Sequence, residues 1–166
     1  MANEDYVVAG TVKSINGEVG ADYAFSVEGL SNATGRVSAQ IDLGSGARPY
    51  LYQWSCEVQF QATPTQYAGL DLYYATAPDS DSTQIDGDVG ASDAALGDAD
   101  MRYNLTYIDT VISENAAASE VCVKSGILYL PKRYLTIVAY NNSGASVNAT
   151  DSNFQFKLTP IYRQIQ

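Results

Sequence analysis

The sequence predicts an all-β protein, an antiparallel two-sheet sandwich of the jelly-roll kind with one long acidic loop. Apolar and polar residues alternate over several segments, turn-forming residues separate these segments, and no long stretch has helical spacing. The 166 residues, of which 46% are hydrophobic, suit a single core. A long unbroken strand and a long acidic connection favour a jelly roll over an up-and-down barrel.

The clearest strand pattern covers residues 50–61, where every second residue is apolar or aromatic. The residues predicted to share its apolar face are Tyr50, Tyr52, Trp54, Cys56, Val58 and Phe60. Residues 36–43 alternate in the same way, with Val37 and Ile41 on the apolar face. Other segments rich in Val, Ile, Tyr, Phe and Thr predict strands over residues 6–13, 23–28, 69–76, 103–112, 120–130, 133–141 and 153–163.

Three features qualify this strand pattern. The best helix candidate, residues 114–120 with three alanines, is short enough to be one turn of a connection. Pro160 lacks a backbone N–H inside the last strand pattern, so that part is predicted to be an edge or a bulge. Residues 1–30 are expected to form an N-terminal arm or the first strands, and residues 31–166 the β-sandwich, most simply as one domain.

The acidic loop is predicted at residues 77–100. This segment contains seven aspartates and no Lys or Arg, so most of the net charge of −10 belongs to it. Asp86 and Asp88 alternate beside glycines, as calcium ligands do, but the other ligands of an EF-hand loop are missing. We expect a solvated loop kept soluble by its charge, with calcium binding at Asp86 and Asp88 as the open alternative.

Composition narrows the possible functions. The chain has no histidine, which excludes Ser-His-Asp and Cys-His catalysis, and no carboxylate pair stands in a glycosidase signature. Nine Lys and Arg against 19 Asp and Glu, with no basic and aromatic motif, argue against nucleic acid as a partner. No apolar run is long enough for a membrane helix, and the first residues lack signal-peptide character. We expect a non-enzymatic protein without catalytic residues or cofactors, made in the cytoplasm.

Cysteine and tyrosine residues allow two interpretations each. Cys56 and Cys122 both lie in apolar strand patterns, which favours buried reduced thiols, although the sequence leaves a bond between them open. The 13 tyrosines and single tryptophan suit a platform for carbohydrate. Because most tyrosines fall on the apolar face of a strand pattern, core packing or a subunit interface is the favoured interpretation.

Several segments, in this order, resemble a group of small virion proteins of tailed bacteriophages. The segments are Ser38–Gly44, Leu70–Ala75, Leu128–Pro131, Arg133–Leu135, Tyr140–Ala145 and the closing strand to Tyr162-Arg163. An acidic loop after the second segment belongs to the pattern. The resemblance covers about residues 30–165 and is most specific from Leu128 to Ala145, so the role of the first 30 residues stays open.

The resemblance implies a jelly-roll-like structural protein of the phage particle, most plausibly a decoration (cement) protein. It would bind the major capsid protein on the capsid exterior, as a homo-trimer or homo-dimer. Alternatives are another phage component (collar, head-fibre base or tail) and a carbohydrate-binding module. The last third of the chain is basic, so we expect Lys132, Arg133 and Lys157 to lie near an acidic capsid surface and the aspartate loop to project away.

Overall fold

A computed structural model describes residues 5–80 and 82–165, and this part of the chain contains twelve strands in two sheets. The strands are β1 (Asp5–Ala9), β2 (Lys13–Asn16), β3 (Tyr23–Ala24), β4 (Gly35–Val37), β5 (Ile41–Asp42), β6 (Leu51–Gln59), β7 (Gly69–Ala77), β8 (Ala94–Ala95), β9 (Thr106–Ile112), β10 (Val121–Tyr129), β11 (Tyr134–Asn141) and β12 (Phe154–Ile165). Short 3₁₀ turns cover Ser82–Gln84, Asp86–Asp88, Ala99–Asn104 and Asp151–Asn153.

The two sheets have the strand order of a jelly roll. Sheet A runs β10-β6-β12-β2-β3, with β1 also paired to β12. Sheet B runs β8-β4-β11-β7-β9, with β5 also paired to β11. Neighbours pair antiparallel apart from β2 and β3, which are parallel. Each sheet contains a set of four paired strands, which are β10-β6-β12-β2 in sheet A and β9-β7-β11-β4 in sheet B. Neighbouring strands within each set are distant in sequence, which is the arrangement that two Greek keys produce. The predicted sandwich is confirmed.

The main core fills the space between the sheets. The strand at residues 51–59 faces it as predicted, with Tyr52, Trp54 and Cys56 buried. Trp54 stacks on Phe156 of the neighbouring strand, with ring centroids 6.1 Å apart and planes 4° from parallel. Aromatic side chains therefore make up much of this core, where large rings bury the most apolar area per residue.

The N-terminal part of the chain belongs to the sandwich. Strands β1, β2 and β3 extend sheet A, and Ile15, Phe25 and Val27 are fully buried in the main core. The single strand predicted over residues 6–13 is two strands, β1 and β2, which pair with different parts of β12. Residues 1–4 of the predicted arm lie outside the described residues.

The strand predicted over residues 36–43 is interrupted, because the chain leaves sheet B after Val37. The Ser38 hydroxyl accepts a hydrogen bond from the Ile137 N–H at 3.0 Å and so replaces a ladder contact. The next two backbone N–H groups donate to the carbonyls of Ala24 and Ala91. Side-chain hydrogen bonding of this kind competes with regular pairing.

Two further features of the sequence are explained by local contacts. Residues 114–120 contain no helix, because the Glu120 carboxylate accepts hydrogen bonds from Ser113 Oγ and Asn115 and closes an irregular turn. Pro160 lies in an interior strand, paired with Tyr52, so it is not at an edge. On its other side, β1 and β2 pair with β12 in registers that differ by one residue, as the predicted bulge requires. Pro160 is tolerated there because it falls between the segment of β12 paired to β2 and the segment paired to β1.

The described part of the acidic segment (residues 77–80 and 82–100) is folded rather than a solvated loop. It crosses the outer face of sheet B, and Ile85 and Val89 are buried there. The second apolar cluster formed in this way contains Val37, Ala75, Ala77, Ile85, Val89 and Val138, flanked by Tyr73, Ala91, Leu96, Met101, Leu105 and Tyr134. The prediction weighted the charge of the segment and overlooked these apolar residues.

Both cysteines are free and buried, which confirms the favoured interpretation. Burial raises the pKa of the Cys122 thiol to about 11 and raises that of Cys56 further. Neither thiol is therefore a reactive thiolate near neutral pH. Among the described helices, none has the length and apolar character needed to cross a bilayer.

We predict that Trp54→Ala lowers the free energy of unfolding by about 3–5 kcal/mol, because it removes a buried ring and leaves a cavity beside Phe156. Leu51→Ala, at an exposed position of the same strand, is the matched control and should cost well under half as much. Urea unfolding followed by circular dichroism measures both. Equal costs for the two variants would contradict the assignment of Trp54 to the core.

Candidate functional site

The two sheets differ in what lies against their outer faces. Strands β7 and β11 of sheet B are largely buried on both sides, because the acidic segment covers the outer side. Strands β6 and β10 of sheet A instead alternate between buried inner residues and more exposed outer ones. Sheet A therefore presents one face to solvent across its three longest strands.

We define the open face as the outward side chains of these three strands of sheet A. They are Val121, Val123, Ser125, Ile127 and Tyr129 of β10, Leu51, Gln53, Ser55, Glu57 and Gln59 of β6, and Gln155, Lys157, Thr159, Ile161 and Arg163 of β12. Glu57, Lys157 and Arg163 are its charged residues, so the face carries one more positive than negative charge. Its exposed apolar side chains are Val121, Val123, Ile127 and Tyr129 of β10 and Leu51 of β6, so the apolar part of the face lies mainly along β10.

One end of the open face contains a cleft of about 480 Å³. Its lining, which we call the tyrosine cleft, consists of Ala47, Arg48, Pro49, Tyr50, Leu51, Tyr129, Ile161, Tyr162 and Arg163. The exposed rings of Tyr50 and Tyr129 lie 5.9 Å apart at an angle of 52°. Aromatic side chains with a few polar groups in a concave surface are typical of binding sites.

Arg48 holds the loop that forms one wall of the tyrosine cleft. Its guanidinium donates hydrogen bonds to the carbonyls of Leu130, at 2.9 Å, and Pro131. The same group lies 5.8 Å from the centre of the Tyr50 ring. Arg48 therefore joins the loop before β6 to the turn after β10 and fixes the chain beside Tyr50 and Tyr129, whose rings contact each other.

The three predicted capsid-binding cations do not lie together. Lys157 stands near the middle of the open face, exposed and opposite Ser55. Lys132 and Arg133 lie in the turn between β10 and β11, where Lys132 pairs with Asp86 at 3.2 Å and Arg133 with Asp42 at 2.6 Å. The predicted separation of the acidic segment from the basic last third is wrong at Lys132. A role for these cations at a capsid surface stays a prediction.

Both aspartates of the calcium alternative lie on one short turn, but the structure gives them different surroundings. The Asp86 carboxylate accepts hydrogen bonds from the Thr76 N–H and hydroxyl, at 3.1 and 2.7 Å, and from Lys132. Asp88 is exposed and has a positive φ of 53°. In the described part of the chain, no three His, Cys, Asp or Glu residues are grouped as metal ligands. The Asp86 oxygens therefore tie the acidic segment to β7.

Asp93 attaches the acidic segment to sheet B most firmly. Its carboxylate accepts hydrogen bonds from Arg36 Nε at 2.7 Å and from the hydroxyl and N–H of Ser26. Burial by itself would raise the pKa of Asp93, but the bonds from Arg36 and Ser26 outweigh it and lower that pKa below its usual value. Three parts of the chain distant in sequence thus meet at one carboxylate.

The most specific segment of the phage resemblance ends in a buried polar turn. Asn141 donates through its side-chain amide to the carbonyls of Leu30 and Ala145, at 2.8 and 2.7 Å. Its side-chain oxygen accepts from the N–H and hydroxyl of Ser143, and Gly144 takes a φ of +83°. The residues of this motif therefore serve the fold, since their polar groups are satisfied within the turn.

Sequence reasoning missed the tyrosine cleft. Tyr50 was predicted to share the buried face of Tyr52, but it precedes β6 and is 56% exposed. Tyr129 is 59% exposed, because it falls on the outward row of β10. The alternation of residues 121–129 could have shown this, since Val121, Val123, Ile127 and Tyr129 lie, with Ser125, on the side opposite Cys122 and Leu128.

Comparisons with known proteins provide no assignment. No protein-family model matches the chain, and no curated protein matches it. Among solved structures, the C-terminal domain of EclA, described as a sugar-binding protein, is similar at 12% identity and a TM-score of 0.33. That alignment covers 96% of this chain and 82% of the other. Such a TM-score is too low for the likeness to bear on the fold or function of this chain.

We predict that Asp93→Ala lowers the free energy of unfolding at pH 7 by about 2 kcal/mol, because it leaves the charged Arg36 and the Ser26 groups without their acceptor. Asp100→Ala is the matched control, since it removes an exposed aspartate of the same segment. We expect it to change stability by less than about 0.5 kcal/mol. Urea unfolding measures both.

The effect of Asp93→Ala should depend on pH. The pKa of Asp93 is lower in the folded protein than in the unfolded chain, where it is about 3.9. Its contribution is therefore complete above that value and is lost as the pH falls through the lower folded pKa. The stability difference between wild type and Asp93→Ala should shrink on acidification below about pH 4. An unchanged difference in that range would contradict the ionic role of Asp93.

Proposed function

We propose that this protein is a non-enzymatic structural protein of a tailed-phage particle, a decoration protein that binds the outer surface of the major capsid protein shell. The open face of sheet A is its docking surface, and the covered face of sheet B, with the acidic segment, points away. The protein would be made in the host cytoplasm and act on the capsid exterior.

The asymmetry of the two sheets carries this proposal. A monomeric sandwich in water normally shows polar residues on both outer faces. Here one outer face has a second apolar cluster beneath the acidic segment, whereas the other exposes Val123, Ile127 and Tyr129 together with Leu51. Contiguous apolar surface of this kind marks an interaction site in a soluble protein. The phage resemblance of residues 30–165 supplies the partner class.

Charge supports the choice of the open face over the turn that contains Lys132 and Arg133. Those two cations are already paired with Asp86 and Asp42, so an external anion would have to compete with them. Lys157 has no ion pair among the described residues and lies between the uncharged Ser55 of β6 and Ser14 of β2. An acidic patch on a capsid would gain most from Lys157, because the interface would exclude water around it.

We predict that Lys157→Glu lowers occupancy on particles at least about tenfold, because it replaces attraction with repulsion in the docking surface. The double variant Lys132→Glu, Arg133→Glu should weaken attachment less, since these side chains are held by Asp86 and Asp42. The measurement adds each purified variant back to particles that lack the protein and quantifies bound copies. Unchanged occupancy for Lys157→Glu would exclude the open face as the docking surface.

Imaging of the same particles at low resolution tests the decoration role itself. We expect copies distributed over the whole shell in the hundreds, as decoration of every capsomer requires. A ring of about a dozen copies or fewer at one vertex would assign the protein to the collar, a head fibre or the tail, and would overturn the decoration role. The two outcomes differ in position as well as in number.

A second candidate function is carbohydrate binding in the tyrosine cleft. The observation that favours it is the pair of exposed, contacting rings of Tyr50 and Tyr129, which line one concave site together with Arg48. Aromatic rings with nearby hydrogen-bond donors form typical ligand sites. A phage protein with this property would attach the particle to surface glycans.

We predict that, if the cleft binds glycans, Tyr129→Ala lowers glycan affinity at least about tenfold, because one stacking wall is lost. Tyr103→Ala is the matched control, because Tyr103 is similarly exposed but lies outside the cleft. Binding to a glycan array followed by titration calorimetry measures both. A wild-type protein that binds no glycan on the array would exclude this second function.

A further inference from the structure

We propose that two copies of this chain associate through strand β10, edge to edge and antiparallel, so that sheet A continues across a twofold axis at Ser125. The second copy adds its β10 to the free edge by main-chain hydrogen bonds, as β-augmentation does. The resulting homodimer is a property of the isolated protein. It goes beyond the proposed function and does not rest on capsid docking.

Strand β10 differs from the other edges of the described sheets. Strands β3 and β8 are two residues long and β1 is five, too short to pair extensively. Strand β9 is longer, but a bulge interrupts its pairing between Leu72 and Tyr73 of β7. Strand β10 pairs with β6 over nine consecutive residues in an unbroken register. It therefore offers a regular edge, which proteins usually protect by shortness, bulges or charge.

The one charge within β10 does not protect this edge. Lys124 reaches across the open side of the sandwich and pairs with Asp109 of β9 at 2.7 Å. Its ammonium group is thereby held against sheet B instead of standing in front of the β10 edge. The outward residues of β10 carry no charge, in a chain that has 28 charged side chains. A lysine on an edge normally blocks pairing with another copy, and here that lysine is engaged.

The outward row of β10 is self-complementary about Ser125. In an antiparallel pair centred on this residue, Val121 lies opposite the second copy's Tyr129, and Val123 opposite the second copy's Ile127. Ser125 then lies opposite itself. Each apolar residue therefore meets an apolar residue, and the small polar one meets its equivalent, as an isologous interface requires. Val123 is 64% exposed and Ile127 57% exposed in the single chain, so both gain by pairing.

This register favours a second copy of the chain, over a strand of an unrelated protein, as the partner of the β10 edge. A foreign strand would need only main-chain groups and any apolar row. A second copy also places residues of the same type opposite each other on both sides of Ser125, and Ser125 is the middle residue of the nine-residue strand. A shift of two residues would bring Ser125 opposite an apolar residue and lose this match.

A designed cysteine tests the register directly. Ser125→Cys places two thiols opposite each other across the axis, where antiparallel Cα atoms are about 4.5–5.5 Å apart, within disulfide range. We expect this variant to form a covalent dimer under mild oxidation. Val123→Cys is the matched control, because its thiol would lie about four residues from its equivalent and should not cross-link. The native Cys56 and Cys122 are buried and do not interfere.

Sedimentation velocity measures the association itself. We expect the wild type to be dimeric at micromolar concentration, Val123→Lys to raise the dissociation constant at least about tenfold, and Ile127→Glu to do the same. The double variant Val123→Lys, Ile127→Glu should restore dimerisation, because each lysine then faces a glutamate of the second copy. Val123 and Ile127 are both exposed, so all three variants should fold. A monomeric or trimeric wild type in which Ser125→Cys does not cross-link would overturn the proposal.

Discussion

The contact between Asp93 and Arg36 is the attachment on which the asymmetry of the molecule depends. It holds the acidic segment against the outer face of sheet B, where Ile85 and Val89 can then bury their side chains. The bonds from Thr76 and Lys132 to Asp86 add to this attachment. Because the acidic segment covers the outer face of sheet B, the open face of sheet A is the sheet face that other molecules can reach.

The distribution of charge follows from the same attachment. The acidic segment holds seven of the 19 acidic residues and no Lys or Arg, and its described part lies over sheet B, on the far side of the sandwich from the open face. Two of its aspartates, Asp86 and Asp93, are used as internal hydrogen-bond acceptors. The exposed Asp88, Asp98 and Asp100 keep this side of the protein hydrated and negative, which disfavours contact through it. Charge and apolar surface thus favour the same orientation for any partner.

The sequence predicted the parts of this structure that depend on local periodicity. Residues 51–59 alternate as they do because one side faces the core, and a two-residue period needs no knowledge of the partner strand. The acidic segment could not be predicted in the same way. Its fold depends on contacts such as Lys132 with Asp86 and Arg36 with Asp93, which join residues 46 and 57 positions apart. The tyrosine cleft was missed for a similar reason, since Tyr50 and Tyr129 meet only after two strands have paired.

The open face and the β10 edge use different chemical groups of the same sheet and can therefore act together. Pairing at the edge uses the main-chain N–H and C=O groups of β10, whereas docking on the face uses side chains that point out of the sheet. In the antiparallel register, the two copies of Tyr129 lie at opposite ends of the joined strands, about 27 Å apart at 3.4 Å per residue. A dimer would thus present two tyrosine clefts and two Lys157 ammonium groups on one continuous face. Two weak contacts on one rigid surface bind a repetitive shell far better than either contact alone, because the second contact forms at high effective concentration.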